Sequence, residues 1–199
     1  MSGGQDPELL ARLKQGIFRT IKSQFLEHWP NKNIYTLKKY YSEALSNAKS
    51  KIIIVTPYFT PPRWLMVLME SSSKRGIEIE VLLPDDTDVK ILNRINRSYV
   101  LKLRNLDIKF YLHPQMNHAK VLLVDDKVAL VGSQNLDYAS FDLNLESGLS
   151  IRDEKAIRDL IKIIDTWREA SHLANIEEEK VSFWDKFFLF LIKILYPIL

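Results

Sequence analysis

The sequence predicts an α/β fold, a mixed sheet flanked by helices, and three observations carry that expectation. Short β-branched-rich runs alternate with amphipathic stretches from residue 51 to residue 172. Two apolar runs, Val121-Leu122-Leu123-Val124 and Val128-Ala129-Leu130-Val131, flank the polar Asp125-Asp126-Lys127, which reads as a hairpin. The first helical stretch is bounded by Pro7 at its start and Pro30 just past its end.

Taken in order, residues 7–29 place Leu9, Leu10, Leu13, Ile17, Phe18, Ile21, Phe25 and Leu26 at helical spacing with basic residues between them. This predicts a helix, either packed on the domain or serving as an interfacial or dimer-forming element. A second helix over 34–49 completes an N-terminal helical extension, residues 1–50. Strands follow at 52–55, 77–83, 108–112, 120–124, 128–131 and 143–151, with helices at 63–74, 88–105 and 153–172. These make up the expected catalytic domain, residues 51–175. Lys90, Arg94, Arg97, Lys102 and Arg104 give the helix at 88–105 a solvated basic face, with a phosphate-meeting patch as the minor alternative.

Residues 176–199 read as a separate tail. After Glu177-Glu178-Glu179 comes VSFWDKFFLFLIKILYPIL, an apolar amphipathic helix broken by Asp185, Lys186 and Lys193. Spanning a bilayer takes about 20 apolar residues, so this run is too short and too charged to cross one. Trp184, Tyr196 and the lysines suit the headgroup layer better than burial against the domain. The sequence therefore expects a peripheral membrane association.

Composition narrows the function classes. A chain of 199 residues is large enough for one domain with a substantial core. A net charge of +3 fits an anionic substrate or membrane surface without demanding nucleic acid. With no cysteine, disulfides and thiolate metal sites are excluded. The polar start carries no signal-peptide pattern.

The chemistry concentrates in His118-Ala119-Lys120-Val121-Leu122-Leu123-Val124-Asp125, followed by Gly132-Ser133-Gln134-Asn135. In a strand His118 and Lys120 project to one face. A hairpin turning about Asp126 brings position 134 opposite position 118, with Ser133 and Asn135 beside the basic pair. Imidazole can attack phosphorus and leave again. Lysine offers a point charge to non-bridging phosphate oxygens, and a hydroxyl and an amide can hydrogen-bond the same atoms. Asp125 is a different case: seven extended residues span roughly 23 Å, so it reads as a turn or supporting residue rather than a partner of His118. No metal and no cofactor is expected.

These residues resemble the signature of the phospholipase D superfamily, His-x-Lys-x4-Asp-x6-Gly-Ser-x-Asn, with every signature position matched. The likeness extends through Thr56-Pro57-Tyr58-Phe59, Lys74-Arg75-Gly76, Leu82-Leu83-Pro84, Arg97-Ser98-Tyr99 and Asn135-Leu136-Asp137-Tyr138 with Ser140, Asn144 and Glu146. In this stretch the chain is similar to the C-terminal half of bacterial cardiolipin synthases. The resemblance implies a metal-free, two-step mechanism: one histidine forms a phosphohistidine, and a second, from another copy of the motif, protonates the leaving alcohol. It also implies that Glu146 orients a histidine, commonly the one on the opposite half; a solvated strand glutamate is its bland alternative.

Two departures qualify the resemblance. The synthases carry two motifs in one chain, whereas His28, His113 and His172 here lack a lysine two residues on and read as structural or exposed. The second histidine must then come from a homodimer or from a partner chain bearing the other motif. The synthases also usually continue Arg-Ser where this chain has Ala139-Ser140. Three readings follow. One is a phosphatidyltransferase or phosphodiesterase acting on anionic phospholipid at the cytoplasmic face of a bacterial membrane. The second is a single-motif nuclease working as a homodimer on nucleic acid. The third is a non-catalytic half-enzyme or membrane-binding module, a reading kept open by Met-Ser-Gly-Gly, which resembles an inter-half linker. The first explains motif and tail together.

Overall fold

The computed structural model describes residues 22–175. Within them the strands are β1 (Ser23–His28), β2 (Lys51–Val55), β3 (Glu78–Pro84), β4 (Ile108–His113), β5 (Val121–Val124), β6 (Val128–Gly132), β7 (Glu146–Ile151) and β8 (His172–Leu173). The helices are α1 (Thr36–Asn47), α2 (Arg63–Lys74), α3 (Lys90–Lys102), α4 (Tyr138–Asp142) and α5 (Glu154–Glu169). All strands join one sheet in the order β1-β7-β6-β5-β2-β3-β4-β8. Strands β2, β3 and β4 run parallel, and the remaining pairings are antiparallel. The expected mixed α/β sheet is therefore what the chain forms.

Both sheet faces are covered, which explains why the central strands are continuously apolar rather than alternating. One core places Ile52, Ile54, Leu122, Val124 and Leu130 against Leu37, Tyr41 and Leu45 of α1 and Leu65 and Met69 of α2. The other places Ile53, Val55, Leu82, Val121 and Leu123 against Ile157 and Ile164 of α5. Asp153 caps α5 by accepting from the Ala156 N–H at 2.9 Å, satisfying one of the orphan amides of the first turn. Arg168, near the other end of α5, donates to Glu80 on β3 at 2.8 Å.

Three expectations are corrected. The helix over 7–29 does not reach Trp29: residues 1–21 lie outside the described residues, and Ser23–His28 is a strand paired with β7. Leu26 and His28 face the core while Phe25 and Glu27 face out, a period of two. The adjacent Phe25 and Leu26 imitate helical spacing, but pairing with the backbone edge of β7 decides the conformation. The strand expected over 143–151 begins only at Glu146, and the chain before it forms α4. Finally, the helix over 153–172 ends at Glu169, which leaves His172 exposed on β8 opposite Leu112 of β4. The described part of the expected N-terminal extension, residues 22–50, supplies β1 to the sheet and α1 to the core. The tail at 176–199 lies outside the described residues.

The topology gathers chemistry at one edge. β2, β3 and β4 end there, β5 and β7 begin there, and β6 ends there. Ligands of open α/β sheets bind beyond the carboxyl ends of the parallel strands, and every motif residue but Asp125 ends, follows or precedes a strand at that edge.

Candidate active site

The β5–β6 hairpin is read correctly by the sequence. Val121 pairs with Val131 and Val124 with Val128, the register that brings position 118 opposite 134. His118, just ahead of β5, is exposed, whereas Lys120 is only 6% exposed. Lys120 Nζ stands 2.9 Å from His118 Nδ1 and 2.9 Å from the His118 carbonyl oxygen. Burial pushes the Lys120 ammonium below its ordinary pKa, and the charges of Glu146, Asp137 and Asp88 pull it back up. A desolvated lysine of this kind gains from any anion that arrives beside it.

Ser133 is placed by β6 and β7 together. Its N–H donates to the Ser147 carbonyl at 2.9 Å, and its Oγ accepts from the Ser147 N–H at 3.1 Å. The Ser133 hydroxyl then donates to Glu146 Oε2. Glu146 is nearly buried, and its other oxygen accepts from the Ser140 hydroxyl at 2.9 Å. Ser140 in turn receives the Asn135 N–H at 3.0 Å. The Asn135 side chain bonds the Asp137 carboxylate, and its own Oδ1 is buried without a hydrogen-bond partner. Ser133, Asn135, Ser140 and Glu146 thus form one network, and the Glu146 charge reaches Lys120.

Glycine at position 132 is required by closeness rather than by conformation. A Cβ there would lie 2.5 Å from the Ser147 carbonyl oxygen and 2.9 Å from Gly148 Cα, where β6 and β7 approach. Asp125 sits at the opposite end of the hairpin from His118. Its carboxylate accepts from the N–H groups of Lys49, Ser50 and Lys51, at 2.9, 2.8 and 3.0 Å, and from the Ser50 hydroxyl at 3.0 Å. It braces the turn.

The other histidines have separate duties. His28 is fully buried; its Nδ1 accepts from the Leu37 N–H at 3.3 Å, which leaves Nε2–H to donate to the Phe141 carbonyl at 2.9 Å. It is a structural imidazole that ties β1 to α1 and α4. His113 closes β4 and folds back onto the backbone of Gln115.

A family model described as "Cardiolipin synthase, PLD-like domain" matches residues 41–167. The chain belongs to that family. It is 31% identical over 135 residues to a cardiolipin synthase of Clostridium perfringens, a match covering 67% of this chain and 28% of that protein. The chain therefore spans under a third of that relative's length. Among solved structures, the phosphatidylserine synthase of Haemophilus influenzae superposes with a TM-score of 0.70 at 19% identity, covering 89% of this chain and 46% of that one. The phospholipase D family member Nuc of Salmonella typhimurium gives 0.64 at 17% identity, covering 77% and 98%. At these identities the structural likeness establishes the fold.

Within this PLD-like domain the sequence reading left two groups unassigned. Asp137 caps α4, accepting from the Ser140 N–H at 2.7 Å; burial raises its pKa, while Ser140 and Asn135 act to lower it. The Asp137-x-x-Ser140 spacing is the sequence signal of that cap. Tyr58, just past β2, sets its ring 5.9 Å from the His118 ring at 79°.

Proposed function

We propose that this PLD-like domain performs phospholipase D-type cleavage or transfer of a phospholipid phosphodiester through a phosphohistidine on His118. The observation that carries the reading is an exposed imidazole at the carboxyl edge of the sheet, 2.9 Å from the ammonium of a buried lysine. His118 attacks phosphorus; the bond from phosphorus to the leaving oxygen breaks, and a second histidine delivers the proton that the leaving alcohol needs. An incoming hydroxyl, from water or another lipid, then loses its proton to that second histidine and attacks phosphorus. The phosphorus–nitrogen bond breaks and His118 is regenerated. Lys120 neutralises the phosphoryl oxygens and the Asn135 amide donates to them, while the Ser133 hydroxyl, which donates to Glu146, turns its proton to the phosphate when one binds.

The second histidine comes from a second copy of the motif, in a homodimer or in a partner chain. A two-fold axis beside the exposed His118 would set two imidazoles face to face. Anionic phospholipid at a membrane surface, on its cytoplasmic face, is the substrate class that the relationship to cardiolipin synthases favours. Among the described residues no helix is long and apolar enough to cross a membrane.

The test combines mass measurement of the full chain in detergent with turnover of phosphatidylglycerol by wild type and His118→Ala. With the second histidine from a homodimer, a dimer is expected, and a loss of at least about a thousandfold in kcat for the mutant. Undiminished turnover by the mutant would sink the reading. Activity confined to single-stranded nucleic acid would move the substrate from lipid to nucleic acid.

A further inference from the structure

We infer that Tyr58, anchored by Asp88, is a positioning residue that fixes the angle of the His118 imidazole. The inference rests on His118 being the nucleophile proposed above. An exposed histidine ahead of a strand has a soft ring torsion, since the terminal bond to an aromatic ring has broad wells. Something must hold the ring if attack on phosphorus is to follow one trajectory. Within one copy of the chain the carboxylates of the motif are occupied elsewhere, Asp125 bracing the distant turn and Glu146 bonded to Ser133 and Ser140, and Lys120 Nζ, 2.9 Å from Nδ1, touches the ring only at its nitrogens. The Tyr58 ring does reach His118, edge to face at 5.9 Å and 79°, a favoured aromatic geometry.

Tyr58 is itself held at both ends. Its hydroxyl donates to Asp88 Oδ1 at 2.7 Å. Its carbonyl accepts from the Thr56 hydroxyl at 3.0 Å. On either side, buried Asn96 of α3 clamps the loop: Oδ1 accepts from the Phe59 N–H at 2.7 Å, and Nδ2 donates to the Pro57 carbonyl at 2.9 Å. Burial, together with the bond to Asp88 and its charge, pushes the phenol up to about 12, so it stays protonated and keeps donating throughout the neutral range. The Asp88 charge also acts on Lys120, so one carboxylate is coupled to both partners of the imidazole.

The test uses the full chain with ring-labelled histidine and compares Tyr58→Ala, Tyr58→Phe and Asp88→Ala with wild type. In Tyr58→Ala the His118 ring signals should broaden as the ring samples more than one torsion. Its kcat on phosphatidylglycerol in mixed micelles should fall roughly 30-fold, with KM within about twofold. Tyr58→Phe keeps the ring and should recover to within about threefold of wild type, with Asp88→Ala similar to it. His118 signals unchanged in Tyr58→Ala, at an unchanged melting temperature, would overturn the inference. If that variant does not fold, Tyr58→Leu, which fills the space without an aromatic ring, decides: unchanged His118 signals overturn the inference and altered ones support it. A wild type that turns over no lipid would count against the lipid substrate alone, because the His118 spectra still decide the positioning.

Discussion

At Asp125 and Asp126 the backbone takes φ values of 54° and 53°, the paired left-handed residues of a type I′ hairpin turn. Asparagine and glycine are the usual occupants, because a Cβ in this region costs roughly 1–2 kcal/mol. Asp125 offsets that cost with the four donors its carboxylate accepts from residues 49–51. Burial pushes its pKa up, but the N–H groups of Lys51, Ser50 and Lys49, with the Ser50 hydroxyl, outweigh burial and hold the carboxyl below its ordinary value. A carboxyl depressed in the folded state contributes stability that is present above its unfolded pKa, about 3.9, and is lost as pH falls through the folded value. Asp125→Asn should therefore show a flatter dependence of urea midpoint on pH below about 4 than wild type. Asp125→Ala should cost about 2 kcal/mol of stability while leaving kcat/KM of the folded fraction near wild type. A large loss of turnover without a loss of stability would give Asp125 a direct part in the chemistry.

Between elements, the tightest constraint is the crossing of β6 and β7 at Gly132 and Gly148. Gly132→Ala would press its Cβ onto the backbone of Ser147 and Gly148, atoms that cannot swing aside as a flexible side chain can. The strands would have to part where Ser133 and Glu146 meet. The expected cost is about 3 kcal/mol, a fall in melting temperature of roughly 10 °C by calorimetry. A variant melting within about 2 °C of wild type would show that the strands can separate cheaply. The hairpin ahead of this crossing was legible in the sequence, since two apolar runs around a polar turn leave one sensible register. So were His118 and Lys120, whose placement depends on that register. β1 was not legible, because Phe25 beside Leu26 satisfies a helical period as well as a strand period, and the edge of β7 that resolves the choice lies over a hundred residues away. The Tyr58–His118 contact was hidden for the same reason: it joins the end of β2 to the start of β5, and only the sheet order brings them together.

Across the whole molecule the sheet is shared property. Its β2 and β5 strands send Ile52, Ile54, Leu122 and Val124 to one core and Ile53, Val55, Val121 and Leu123 to the other. Neither helical layer can loosen without uncovering a face of the strands that position His118 and Lys120. Leu45 of α1 and Ile164 of α5 are both fully buried, one on each face, and Leu45 falls in the stretch that the sequence assigns to an N-terminal extension. If α1 is part of the same cooperative unit, Leu45→Ala and Ile164→Ala should each lower one common unfolding transition by about 3 kcal/mol. Their effects should add to within about 0.5 kcal/mol in the double mutant, because the two sites touch opposite faces and share no partner. Calorimetry checks this directly. A Leu45→Ala variant whose thermogram splits, with one component unmoved, would mean that α1 unfolds independently and that the boundary near residue 50 is a real one.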